Sequence, residues 1–539
     1  MPATRHEGSI RSHNVAANRC ARMGSAPAED IRRCFKAADS SMVRQMSWID
    51  RENLAPPVVL FYTDNGFGLG HLTRQAAVAS RARGAFRPVF LTMSAGYTLL
   101  RQLGFPTEYF PSYGVLGVSK RQWEPLMEQR VLEAIRLTGA AAVVIDHVSP
   151  PAIFEDLRRK TTGVKFIWSR RGLWQPGSNL SALDLSDSFD LIVEPGDLAS
   201  AVDQGQTAVR SHEAIPTDPV VLVDPADFLS REEARELLGL PPSGRAVLIN
   251  FGDSNPEEVE GLVSLTKSIA DSVAPDSICF FSPLHPLHRG QFQTIQGVAM
   301  KPVYPAARYL NAFDGAVSSA GYNSFHEIVG SGLPAVFVPR SNSRIDDQTR
   351  RAQFASLSGR GHWAPHAQDP SFPRSLEMML RPRERSIAEK TTSVLGTMRG
   401  AYEFADIVAG VLKTSDRTAG AVDDASGDPL ADPDPTQGPA PTTTLVIAVE
   451  SDDEQVDELA ATLNRSEKTV VVVADADPSP LYSRGFVFES VMTEPEWSAC
   501  GPSSYRDYLG TRISGIVRRY HPTRLLSLEE ATSSSQTAP

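Results

Sequence analysis

The chain is predicted to be an α/β protein built from Rossmann-like parallel sheets, and three observations predict it. Apolar runs of strand length recur along it, each leading into a segment of helical period. Residues 57–64, Pro-Val-Val-Leu-Phe-Tyr-Thr-Asp, are the clearest case, a run suited to a parallel strand covered on both faces. Two glycine turns stand between such a run and a helix: Asn65-Gly66-Phe67-Gly68-Leu69-Gly70, and Ser318-Ser319-Ala320-Gly321. Two breaks divide the chain. Residues 211–227 carry Pro216, Pro219 and Pro225, and residues 414–442 are rich in Asp, Gly, Pro, Thr and Ala.

These features predict a tail at 1–50 that is disordered, a first Rossmann-like domain at 56–215, a second at 227–413, a flexible linker at 414–442 and a partial α/β domain at 443–530. The 539 residues are 41% apolar and 22% charged, enough to bury a core, and the formal charge of −11 argues against nucleic acid as a partner. No apolar run reaches the roughly 20 residues that cross a bilayer, and the N-terminus lacks the apolar core of a signal peptide. Cys20, Cys34, Cys279 and Cys500 are scattered without metal-type pairing and read as reduced thiols. A cytoplasmic protein is expected. Peripheral contact with a membrane face stays open, because it needs no span.

In the first domain the turn Gly66-Phe67-Gly68-Leu69-Gly70 is followed by His71 and Arg74 on an Ala-rich helix. Alternating glycines between strand and helix make a tight turn that a ligand can approach. Strands are expected at 87–92, 107–110, 141–146, 165–169 and 189–194, with 219–222 closing the domain. Asp146 stands at the carboxyl end of its strand, where ligands gather in open α/β sheets. It is a candidate base or acceptor ligand, or a loop carboxylate capping the next helix. After the strand at 165–169 come Arg170, Arg171 and Trp174. They either clamp an anionic or sugar group of an acceptor or are solvated loop charges.

In the second domain Gly252 and Ser254 lie in a turn that opens a helix. Gly321 lets the backbone approach a ligand at the start of another, where free N–H groups and the positive end of the dipole favour an anion. Asn323 and Ser324 follow in the first turn, and Glu327 stands in the second. A helix N-terminus for phosphate and a carboxylate for ribose hydroxyls is the chemistry of a nucleotide site. A "Gly-Leu-Pro-Ala" exit at 332–335 leads into the next strand, and Asp346-Asp347-Gln348 with Arg351-Ala352 comes after it.

Taken together, residues 56–413 resemble the GT-B glycosyltransferases, nearest the branch of the N-acetylglucosaminyltransferase of peptidoglycan synthesis. Gly70-His71 with Arg74 is similar to that branch's "G-x-G-H-x-x-R" loop, and the 318–339 segment to its donor-nucleotide segment. Phe251-Gly252-Asp253-Ser254 resembles its "G-G-S" phosphate loop, with Phe251 in place of the first glycine. The resemblance implies two facing Rossmann-like domains, a final helix that crosses back onto the first, and transfer of a hexose from a nucleotide-diphosphate sugar, a UDP-sugar foremost. The nucleotide-sugar is a substrate, so no cofactor is expected. No metal is expected either, since no Asp-x-Asp pair stands near the donor segment. The resemblance makes His71 a candidate base beside Asp146, which its strand end suggests, and it puts the loop of Gly68, Gly70 and Arg74 at the cleft, with Arg170 a further acceptor or loop residue. It places Gly252, Ser254, Gly321, Asn323, Ser324, Glu327, Asp347 and Gln348 on the donor. It puts the loop at Val303-Tyr304 beside the nucleotide base. The acceptor is unspecified: a small molecule, a lipid-linked molecule or a polymer. A nucleotide-sugar hydrolase and a non-catalytic nucleotide-sugar-binding protein remain alternatives. The segment 443–530 repeats the strand spacing of the first half-domain without its glycine loop, like a degenerate copy, and is expected to be dispensable for chemistry.

Overall fold

The computed structural model describes residues 55–63, 69–252, 256–273, 278–284, 295–340, 344–381, 398–414, 421–422, 443–463 and 468–534. Gly68, Ser254, the tail at 1–50 as far as residue 54, and all but two residues of the linker at 415–442 lie outside them. Among the described residues the chain forms three parallel sheets. The first contains β1 (Val58–Thr63), β2 (Arg87–Thr92), β3 (Thr107–Tyr109), β4 (Ala140–Asp146), β5 (Lys165–Ser169), β6 (Leu191–Glu194) and β7 (Ile215–Pro216), in the order β3-β2-β1-β4-β5-β6-β7. The expected strand at 219–222 is not one. Ile215–Pro216 closes the sheet instead, and the backbone N–H of Val220 donates to the Tyr322 hydroxyl.

The second sheet contains β8 (Arg245–Asn250), β9 (Ile278–Leu284), β10 (Val298–Pro302), β11 (Gly315–Ser318), β12 (Ala335–Phe337) and β13 (His362–Trp363), ordered β10-β9-β8-β11-β12-β13. The third contains β14 (Thr443–Ala448), β15 (Lys468–Val473), β16 (Val487–Ser490) and β17 (Arg524–Ser527), ordered β16-β15-β14-β17. Each sheet therefore winds outward from its first strand, then reverses so that the fourth strand lies on the first strand's other side. That reversal opens a crevice at the carboxyl ends of the first and fourth strands.

The helices that matter to function are α1 (Gly70–Ser80), α2 (Lys120–Thr138), α3 (Tyr322–Ser331), α4 (Gln348–Leu357), α5 (Gly400–Thr414), α6 (Asp453–Thr462), α7 (Tyr505–Tyr520) and α8 (Leu528–Ser534). All six residues of β1 are buried, as the uninterrupted apolar run requires. Helix α5 crosses back onto the first domain, as the resemblance implies. The Tyr402 hydroxyl donates to Asp224 at 2.6 Å, Glu403 accepts from the Asp218 N–H, and the Asp218 carbonyl lies so close to Gly400 that no side chain fits there. Two Rossmann-like domains with facing crevices and a returning last helix make up the architecture that a GT-B resemblance implies.

The third sheet packs on the main body. Edge strand β16 lies against edge strand β3, where the Tyr109 N–H donates to Ser490 Oγ at 2.7 Å and Tyr109 stacks on Phe488. Trp497, Tyr508 and Ile516 share one core with Met127 and Val131 of α2. Behind that core, Arg512 donates to Glu108, Glu133 and Glu489 at 3.0–3.1 Å, Arg519 donates to Glu133 and Glu489, and Arg130 pairs with Glu108. In the stretch expected to be linker, Ala421–Val422 pairs antiparallel with Thr161–Thr162.

Candidate active site

In the first crevice, α1 is the helix that follows β1 in the chain, and no side-chain cap is seen at its N-cap Leu69 among the described residues. A spacing of three places His71 and Arg74 on one helix face, and both reach Asp146 at the end of β4. His71 Nδ1 lies 2.6 Å from Asp146 Oδ1, and Arg74 donates to both carboxylate oxygens, from Nε at 3.0 Å and from its terminal nitrogen at 2.8 Å. Ser169 donates to the same carboxylate at 3.3 Å. Burial would raise the Asp146 carboxyl, but Arg74 and His71 overcome it and hold the group well below the usual range. Burial pushes the His71 imidazole down to about 4 against the pull of Asp146. His71 is therefore neutral near pH 7. Arg74 also comes within 3.0 Å of Nδ1, but the shorter contact and the ionised partner assign the Nδ1 proton to the bond with Asp146. Nε2 is then left with a lone pair and has no hydrogen-bond partner among the described residues. Asp146 thus accepts from His71, Arg74 and Ser169, and the two candidate bases stand as one hydrogen-bonded pair.

In the second crevice, Gly252 follows β8 and Gly321 follows β11. Gly252 has φ +71, and a Cβ on either glycine would meet Ser319 Oγ at 3.9 Å. The two turns thus flank one small hydroxyl residue. Gly321 is the N-cap of α3, no side chain caps that helix, and its first turn carries no acid. Ser324 is committed to Asn250, whose amide donates to it at 3.3 Å. Asn323 reaches across to the first domain: its amide donates to the Gly70 carbonyl at 3.2 Å, and its oxygen faces Arg74 at 3.5 Å. Glu327 is half-buried and has no hydrogen-bond donor among the described residues. Burial raises its carboxyl to about 7. The Tyr304 phenol, itself pushed up by burial and by the Glu327 charge, shares a 3.0 Å hydrogen bond with Thr73 of α1.

Two expected ligands are otherwise engaged. Asp347 caps α4, accepting from the Arg350 N–H at 3.0 Å, and pairs with the Arg350 side chain, so its carboxylate is not held out for a sugar. A carboxylate one residue before a helix satisfies orphan N–H groups, and that local demand takes it. Gln348 stays at the site: its oxygen accepts from the Arg340 N–H at 3.1 Å and its nitrogen stands beside the Gly321 turn. Arg170 is fully buried and bonded to Glu213 at 2.8 Å and to the Arg210 carbonyl at 2.9 Å, with Glu194 at 3.4 Å. It faces the domain interior and is not an acceptor contact.

Three further residues complete the site: Arg171, which the sequence left as either an acceptor clamp or a solvated loop charge, and Tyr322 and Arg351, to which it gave no role. Arg171 turns the opposite way from Arg170, toward the crevice, 3.6 Å from Asp346. Alternation along an extended chain sends neighbours to opposite sides, so one of the two had to face inward and the other outward. Tyr322 anchors α3 to the first domain, donating to the Gly196 carbonyl at 2.8 Å and accepting from Val220 at 3.0 Å. Beside it Arg351 joins the domains, bonding Asp197 at 2.9 Å and Asp346 at 2.8 Å. Among the described residues, no three His, Cys, Asp or Glu side chains converge as metal ligands would, and no helix is long and apolar enough to cross a membrane.

No family model matches the chain, and no curated protein matches it. Solved structures do resemble it. The glycosyltransferase SnogD of Streptomyces nogalater is 16% identical over 66% of this chain and 99% of its own, with a TM-score of 0.45. MurG of Acinetobacter baumannii is 15% identical over 66% and 100%, with a TM-score of 0.43. The glycotransferase of kitacinnamycin is 12% identical over 66% and 99%, with a TM-score of 0.45.

Proposed function

We propose that the protein transfers a sugar, a hexose foremost, from a nucleotide-diphosphate donor to an acceptor hydroxyl, with UDP-sugar as the leading donor. One observation carries this reading. The His71–Asp146 pair of the first crevice faces the uncapped start of α3 in the second, and Asn323 ties the two turns together at Gly70. A base opposite a phosphate-binding helix end is what attack on a sugar–diphosphate bond needs.

The chemistry follows from the chain's own groups. His71 Nε2 takes the acceptor's hydroxyl proton, and Asp146 stabilises the imidazolium that forms. The freed oxygen attacks the anomeric carbon, and the bond from that carbon to the β-phosphate oxygen breaks. The electron pair leaves on the diphosphate, whose charge the N–H groups at Gly321–Asn323 receive. The helix end would serve where other enzymes use a metal. Among the described residues Glu327 lacks a donor, and a ribose diol would offer it two. Tyr304 and its neighbours would stand beside the base. The proposal places the enzyme in the cytoplasm, with peripheral contact to a membrane face where the acceptor is lipid-linked.

Calorimetry and thermal shift with nucleoside diphosphates, followed by turnover of nucleotide-sugars against acceptor sets, test it. Binding stabilises the native state by mass action, so UDP is expected to raise the melting temperature. A well-folded protein that binds no nucleoside diphosphate would sink the reading.

A further inference from the structure

We propose that Arg171, a residue of the first domain, is a binding residue for the terminal phosphate of the donor nucleotide held by the second. The inference rests on the glycosyl-transfer reading above and deepens it.

Three guanidiniums surround the Tyr322 ring, those of Arg74, Arg171 and Arg351, at 5.3, 5.8 and 5.9 Å from its centroid. Tyr322 is the first residue of α3, so all three stand at the helix end that offers free N–H groups. Two of them are spent. Arg74 is clamped on Asp146 through two nitrogens and turns its third toward Asn323. Arg351 bonds Asp197, Asp346 and the Ala320 carbonyl. Arg171 is different. Among the described residues its one polar contact is the 3.6 Å approach to Asp346, beyond hydrogen-bond distance, and its buried Nε has no partner. The side chain keeps 14% of its surface exposed, so the unmet desolvation cost falls on the buried Nε. Beside two neighbours saturated by protein groups, Arg171 is the guanidinium of the three that can still take an acceptor from the crevice.

The position says which acceptor. Both groups Arg171 approaches, the Tyr322 ring and Asp346, belong to the second domain and flank the Gly321 turn. Arg171 also lies close enough for its charge to act on His71. A group between the helix end and the base stands where the β-phosphate of a bound donor leaves the sugar. A planar fork meets phosphate oxygens two at a time, which a bare helix end cannot do. The donor site would then be complete only when the first domain is apposed to the second, and the diphosphate itself would hold the domains together.

Titration calorimetry of UDP and UMP against the full-length protein, Arg171→Met and Arg171→Lys decides it. The wild type is expected to prefer UDP over UMP. Arg171→Met is expected to lose roughly tenfold or more in UDP affinity and little in UMP affinity. Arg171→Lys should recover part of the loss, since it restores the charge without the fork, and it covers the case in which Met at this position does not fold. Two results overturn the inference: unchanged UDP affinity in a folded variant, or equal losses for UDP and UMP, which would make Arg171 an interdomain strut on Asp346. A wild type that binds neither nucleotide removes the glycosyl-transfer reading and this inference with it. A wild type that prefers UDP while Arg171→Met keeps that preference removes this inference alone.

Discussion

The second and third sheets begin with the same strand order and end with opposite uses of it. Both place their fourth strand beside their first, so both have a crevice at the strands' carboxyl ends. In the second sheet, α3 enters that crevice uncapped and without acids in its first turn. In the third, α6 is closed by a capping box between Asp452 and Gln455 and carries Asp453 and Glu454 in its first turn. At α8, Ser527 and Glu530 satisfy each other's N–H groups and Glu529 adds charge. The topology makes a crevice in each case, and the helix caps decide whether an anion can use it. The third sheet applies its charges at the docking face instead, through Glu489, Arg512 and Arg519.

That contrast predicts its largest effect at the docking face. Arg512→Met leaves Glu108, Glu133 and Glu489 buried with fewer counter-charges. Breaking such a network is expected to cost about 3–5 kcal/mol of stability, read by urea denaturation. A chain ended at Thr414 should misfold or aggregate, because it bares the β3 edge and the Trp497-covered face of α2. A truncation that stays soluble and cooperative would restore the separable third domain. In the first crevice, His71→Ala is expected to lower turnover by about 10²–10⁴-fold with UDP affinity unchanged, since the base acts on the acceptor. Near-normal turnover would leave the His71–Asp146 pair a structural clasp.

The Gly321 turn, the strand alternation and the place of Asp146 were legible because each is a local demand: a close approach, a covered strand, a strand's carboxyl end. The position of Glu327, on a helix opened by Gly321, was legible for the same reason. What the sequence hides is competition for a side chain. Asp347 looked free for a sugar until the helix beginning at Gln348 claimed it as a cap. Arg170 and Arg171 differ only in which way the chain turns them, and only the three-dimensional path shows that Arg170 meets Glu213. Which face the third sheet docks on was hidden by composition. On α7, Tyr508, Arg512, Ile516 and Arg519 fall on one face. A face that mixes arginines with apolar residues reads as solvated until the glutamates of another domain are seen opposite it.

The caps can be exchanged to test their role. Gly321 has φ −64 and ψ 148, a conformation any residue adopts, and a Cβ there meets nothing nearer than 3.9 Å. Gly321→Asp would give α3 the kind of cap that α6 has. The variant is expected to be as stable as the wild type or slightly more so, while UDP affinity falls by about 10–100-fold through a filled N–H site and added repulsion. Unchanged UDP affinity would mean that the helix end is not the phosphate site.

The smallest effect concerns Glu327, whose carboxyl burial raises to about 7. Its charged form accepts two hydroxyl bonds, and its protonated form accepts fewer. Because the folded value lies above the ordinary one of about 4.3, the carboxylate is scarce at pH 6 and prevalent at pH 8. UDP affinity should therefore rise with pH across that interval, by up to about tenfold if only the carboxylate binds. The same shift has the opposite sign for stability: the unfolded chain ionises more readily, so the Glu327 contribution to stability falls as pH rises from about 4.3 through 7. The terminal phosphate of UDP titrates in the same range, so the informative quantity is the wild-type slope minus that of Glu327→Gln. The variant is expected to bind more weakly at pH 8 and to lose the excess slope. Identical slopes would detach Glu327 from the ribose and leave α3 a phosphate site alone.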